Sequence, residues 1–156
     1  MKNHRPDGIL IRILEEGYRM RAWHGPNLKG SFRGLSAQEA AWRPSPRRHN
    51  IWEIVLHAAY WKYAVRRTLT GEKRGSFPIK GSNFFRRPAI LSERSWQADK
   101  RILEAEHQRL LDAARTSLAP GAPRKKITRM LYGIAFHDVY HAGQIRLLRR
   151  MAGKKR

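Results

Sequence analysis

A chain of 156 residues with 41% hydrophobic residues, five tryptophans among them, is long enough to build one domain with a real core. It contains no cysteine, which excludes disulfides and thiolate metal sites, and no apolar run near the roughly 20 residues needed to cross a bilayer. The formal charge of +21 draws polyanions over long range, nucleic acid first among them, although the excess is spread along the chain and is dense only at the tail, from Arg146 to Arg156.

The first twenty residues carry charges throughout and lack an apolar stretch of signal-peptide length, so the expectation is a soluble cytoplasmic protein. Residues 1–8, with Pro6 and Gly8, read as a frayed arm, and 152–156 as a frayed end. From Ile9 to about Ala22 the positions Leu10, Ile13, Leu14, Gly17 and Tyr18 follow a helical period. Gly25-Pro26, Gly30 and Gly34 then mark a loop. Ser36 and Glu39 form a capping box that starts a short helix through Trp42, ended by Pro44 and Pro46.

Asn50 is the N-cap of the second long helix, which runs to about Thr70 with Gly71 as its stop. Its expected inner stripe is Ile54, His57, Trp61, Ala64/Val65 and Thr68. From Gly71 to Leu91 the chain is irregular and carries Phe77, Phe84 and Phe85, a length typical of a crossover or a lid. Ser92 caps a third long helix to about Leu118, with Trp96, Leu103, Leu110, Leu111, Ala114 and Leu118 on its apolar face. His107 falls in the same register, either as a fourth member of a site or as a half-exposed boundary histidine. Pro120-Gly121-Ala122-Pro123 makes a turn. The last helix spans about Lys125 to Met151, with an inner stripe of Met130, Ile134, His137, His141, Ile145 and Leu148.

Four long amphipathic helices predict an all-α, four-helix bundle over residues 1–156, with a long crossover between the second and third. That crossover lets those two helices run in the same direction. The shorter connections make neighbours of the first and second helices and of the third and fourth. Histidines at i and i+4 share one helical face, so His137 and His141 aim at one spot, with His57 on a facing helix as the third candidate. Three buried imidazoles without partners would each cost about 1–3 kcal/mol, so the choice lies between a metal and a polar core satisfied by Asp138, Glu53, Tyr60 or Tyr140. The zinc-protease pattern is not met, because Asp138 stands where its glutamate would be. No phosphate-binding glycine loop and no nucleophile elbow is present.

The segment Asn50–Trp61 with His57, paired with His137-Asp138-Val139-Tyr140-His141-Ala142-Gly143-Gln144-Ile145, resembles the DinB-like (YfiT-like) metal-binding bundle family. The resemblance extends from the first helix to about Arg150, with Gly71-Glu72 and Glu106-His107 as supporting matches. It implies up-down-down-up order and a triad of His57, His137 and His141 holding a divalent transition metal, nickel or zinc first and manganese next. It also implies a homodimer. The implied activity is a metal-dependent hydrolase or thiol S-transferase acting on a small molecule, with a metal-bound water or a low-molecular-weight thiolate as the reacting group. Tyr60, Trp61, Phe84, Phe85 and His107 are the candidate pocket residues. Two other readings stay open: a basic nucleic-acid-binding bundle with structural histidines, and a non-catalytic relative that keeps its metal for stability.

Overall fold

The computed structural model describes residues 6–118 and 124–153, and among them every regular element is helical: α1 (Pro6–Tyr18), α2 (Leu28–Ser31), α3 (Ala37–Ala41), α4 (Ile51–Thr70), α5 (Glu93–Ser117) and α6 (Arg124–Gly153). The long helices α1, α4, α5 and α6 form the expected bundle. Local chemistry sets their ends. Asn50 accepts from the Glu53 N–H while the Glu53 carboxylate accepts from the Asn50 N–H, and Gly71 stops α4 in the left-handed conformation at φ 75°. Ser36 and Glu39 close the same reciprocal box on α3, and Ser92 caps α5.

Several expectations are corrected. The frayed arm over 1–8 gives way at Pro6, where α1 already begins, because proline suits a first helical turn that needs no amide donor. That helix ends at Tyr18, four residues early. The Gly25–Gly34 loop contains α2, one turn capped by the Asn27 side chain. Helix α6 continues through residues 152 and 153. The turn at 120–123, the arm over 1–5 and the tail from Lys154 lie outside the described residues.

Side-chain pairs give the helix directions. Trp52 meets Trp96 and Asp99 while Arg66 meets Glu106, so α4 and α5 run in parallel. Lys62 meets Asp138 while Ile51 and Trp52 share a cluster with Ile145 and Leu148, so α4 and α6 are antiparallel. Tyr18 reaches Glu104 and His107 while Leu14 packs with Leu110 to Leu118, so α1 opposes α5. The order is therefore up-down-down-up. Among the four long helices the closely packed pairs are α4 with α5, α1 with α6, α4 with α6 and α1 with α5. The neighbours expected from loop length, α1 with α4 and α5 with α6, are not among them. The segment joining α1 to α4 folds into α2 and α3 and carries the chain across the bundle end.

Two apolar clusters fill the interior. One is built on Trp52, Val55, Leu56, Trp96, Leu103 and Ile145, the other on Leu14, Leu110, Leu111, Leu131 and Ile134. Between them lies a polar layer. Lys62 and Asp138, both 0% exposed, form an ion pair across α4 and α6. Arg66 on α4 donates to Glu106 on α5, and His107 is fully buried against Tyr18. A buried charge survives only when paired, and here the pairs join different helices. No described helix is long and apolar enough to cross a membrane.

Candidate metal centre

His57, His137 and His141 converge beside this polar layer. Helix α4 presents His57 two turns into its length, and α6 presents the other two from successive turns of one face. The His137 Nε2 lies 3.1 Å from the Nε2 atoms of both His57 and His141. Ligands 2.0–2.1 Å from one ion stand about 2.9 Å apart at a right angle and about 3.4 Å apart at the tetrahedral angle. The observed spacing falls between these limits, and the three side chains form a group that could hold a metal ion.

The outer ring nitrogens fix which proton each histidine carries. His57 Nδ1 is 3.0 Å from the Asn83 carbonyl, which can only accept, so Nδ1 bears the proton and Nε2 is bare. His141 Nδ1 donates to the Gln144 Oε1 at 2.6 Å, leaving its Nε2 bare as well. Gln144 is held in turn by donating to the Tyr140 hydroxyl at 3.0 Å. His137 Nδ1 is buried with no partner among the described residues. Its Nε2 can donate to at most one or share between two bare nitrogens, and whichever tautomer it takes, a buried nitrogen is left unsatisfied. A cation at the point of convergence would receive all three lone pairs.

Burial holds these rings in the neutral form that a metal binds. Desolvation, with the neighbouring His141 adding to it, takes His57 down to about 4, and desolvation with His141 and His57 takes His137 down to about 3. Burial lowers His141 too, opposed by its bond to Gln144.

The sequence-derived pocket residues fall in three places. Phe84 stacks on His57 at 3.9 Å, and Trp61 stands edge-on to it at 6.3 Å while donating to the Asn83 side chain. Tyr60 and Phe85 pack with Phe77 under the crossover, filling the space between that loop and α4. His107 contacts Tyr18 and Glu15 in the polar layer and is fully buried, not half-exposed.

The inner stripes also need correction. Trp61 is 39% exposed while its neighbour Lys62 is buried, and on α6 the half-buried Met130 yields to Leu131. His137 is itself only partly buried, so the triad sits at the rim of the core. None of the four partners weighed from sequence bonds the triad. Asp138 takes Lys62, Glu53 takes Arg43 and His49, Tyr60 packs in the crossover cluster, and Tyr140 stands edge-on to His141 and accepts from Gln144. The acceptors are Asn83 and Gln144. Asn83 acts through its main chain, which leaves no signature in sequence; Gln144, one turn beyond His141, was legible as an i, i+3 partner.

No curated protein and no solved structure matches the chain. A family model does match, over residues 22–145, a span that includes all three histidines and both of their acceptors. The chain belongs to the DinB superfamily.

Proposed function

We propose that His57, His137 and His141 hold one divalent transition metal, nickel or zinc first and manganese next, and that the protein is a metal-dependent hydrolase or thiol S-transferase acting on a small molecule. The observation that carries this reading is the meeting of three Nε2 atoms, two of them fixed as bare by acceptors on their far nitrogens. Acceptors bonded to the far ring nitrogen in this way orient imidazole ligands and raise their basicity. Three protein ligands leave positions open for substrate or solvent. Bound there, such an ion supplies Lewis acidity that activates water or a thiol for attack. The chain's own residues would do the rest: Asn83 and Gln144 hold the rings, Phe84 shields one face of His57 from water, and Trp61 forms the exposed wall.

Elemental analysis of the tag-free protein beside His57→Ala and His141→Ala is the test. Near-stoichiometric metal in the parent and none in either variant is expected. Equal metal content in all three, or no metal after incubation with excess nickel or zinc, overturns the assignment. Screening the loaded protein with thiols and electrophiles, against ester and amide substrates, then separates transferase from hydrolase.

The same reading includes a homodimer formed through the outer face of α6, where Tyr132, Phe136, Tyr140, Leu147 and Met151 are exposed along one stripe. It places the protein in the cytoplasm, a reducing compartment suited to a chain without cysteine. The charge of +21 favours a second reading, nucleic-acid binding with structural histidines. That reading requires binding whose affinity falls steeply with salt and is indifferent to metal.

A further inference from the structure

A concavity of about 790 Å³ opens next to the triad, between the Arg43–His49 loop and the end of the crossover at Phe84–Arg86. Its size lies within the range of small-molecule sites. Phe84 is a wall common to both: one face stacks on His57 at 3.9 Å and the other on His49 at 3.7 Å, with the rings nearly parallel.

The charges in this groove are unequal. Glu53 is its acidic residue, and that carboxylate is already consumed by the Arg43 guanidinium, the His49 Nδ1 and the Arg87 N–H. Arg47, Arg48 and Arg86 also line the groove; all three are exposed, and their guanidinium groups have no partner among the described residues. Three unneutralised guanidinium groups facing one concavity are a site for an anion, since the planar fork of arginine matches phosphate and carboxylate oxygens. Some cations elsewhere are occupied, Arg19 and Lys29 by Glu104, Arg66 by Glu106 and Arg87 by Asp99, and most of the remaining positive excess is spread over the surface; these three instead line one concavity that shares the Phe84 wall with the triad.

We propose that the groove lined by Arg47, Arg48 and Arg86 binds the anionic group, a phosphate or a carboxylate, of the small molecule whose reactive end is presented to the triad. This rests on the metal-site reading above for its second half only. The concave shape, closed on one side by Phe84, favours a small molecule over nucleic acid, which would need cations strung along an extended track.

Pyrophosphate binding to the full chain, made metal-free and titrated calorimetrically at about 0.15 M salt, tests the groove directly. The comparison is Arg48→Gln/Arg86→Gln against Arg146→Gln/Arg150→Gln, which removes the same charge from the outer surface of α6. The groove pair is expected to weaken pyrophosphate by about tenfold or more and the control pair by less than about twofold. Equal weakening by the two pairs, or no saturable binding to the parent, overturns the proposal. So does a single-stranded oligonucleotide that binds through both pairs alike and displaces pyrophosphate. Metal content is measured on the same variants. A parent that takes up no metal yet binds pyrophosphate through the groove removes the metal reading alone, whereas normal metal content without groove-dependent binding removes this one alone.

Discussion

Replacing Asp138 by Asn should cost this protein a large part of its stability while leaving its three imidazoles in place. Asp138 and Lys62 are both 0% exposed and bond each other across α4 and α6. Asparagine keeps the shape and removes the charge, so the buried Lys62 ammonium is left with a neutral amide acceptor in place of its carboxylate and with the Tyr18 ring 4.9 Å away. Breaking one side of a buried pair costs about 3–5 kcal/mol, against a total of about 5–15 kcal/mol for a typical domain. With a urea slope of about 2 kcal/mol/M, the midpoint falls by about 2 M. Urea titration followed by tryptophan fluorescence reads this directly. The double variant Lys62→Met/Asp138→Leu removes both charges together and should return to within about 1.5 kcal/mol of the parent, because a packed apolar pair replaces a buried ionic one at little cost. Its metal content should equal the parent's, since no imidazole or acceptor is touched. An Asp138→Asn protein within about 1 kcal/mol of the parent would refute the reasoning and mean that Lys62 finds water or another partner.

Gln144→Leu removes the acceptor of His141 without touching a candidate ligand, and should weaken metal affinity by about 10–100-fold in chelator competition, with helical content unchanged. Unaltered affinity would show that the bond to Gln144 does not orient the ring. His107 supplies a pH test. Burial, with Lys62, Arg19 and Lys29 adding to it, pushes this imidazole far below its ordinary value, while Glu15 and Tyr18 are its direct contacts. It therefore stays neutral in the folded chain and protonates near about 6.5 in the unfolded one, so its contribution is complete above that pH and is lost as pH falls. Below it the parent should lose about 1.4 kcal/mol per pH unit more than His107→Gln, measured as urea midpoints in the acid range. Parallel profiles would contradict the neutral assignment.

Much of this architecture is written locally. Ser36 with Glu39, Asn50 with Glu53, and Gly71 each act within one turn, so they mark helix ends without knowledge of the fold. The i, i+4 spacing of His137 and His141 is equally local, and one further mid-helix histidine completed the triad. The burial register was harder to read. Lys62 and Arg66 look like surface residues of α4, yet they face inward, because Asp138 and Glu106 meet them from α6 and α5. Nothing within α4 announces those partners. The helical period of α4 therefore puts Trp61 inside, whereas it stands at the rim. The acidic residues beside His107 point to solvent in one of its two sequence readings, the boundary histidine, while its cover, Tyr18, comes from α1. Helix α2 has no sequence signature, because four residues carry too little periodicity to register.

The acceptor that holds the proton on His57 is a main-chain oxygen, on a residue whose φ of 63° suits asparagine or glycine. Main-chain atoms do not change when side chains are exchanged. Across the crossover from residue 71 to 91, mutation can thus reshape the surface around the triad while the imidazole keeps its orientation, so long as position 83 keeps its left-handed turn. Inheritance of the ligand set is in this way uncoupled from inheritance of the rim. A lineage built on this bundle can change what it recognises without first losing what it holds.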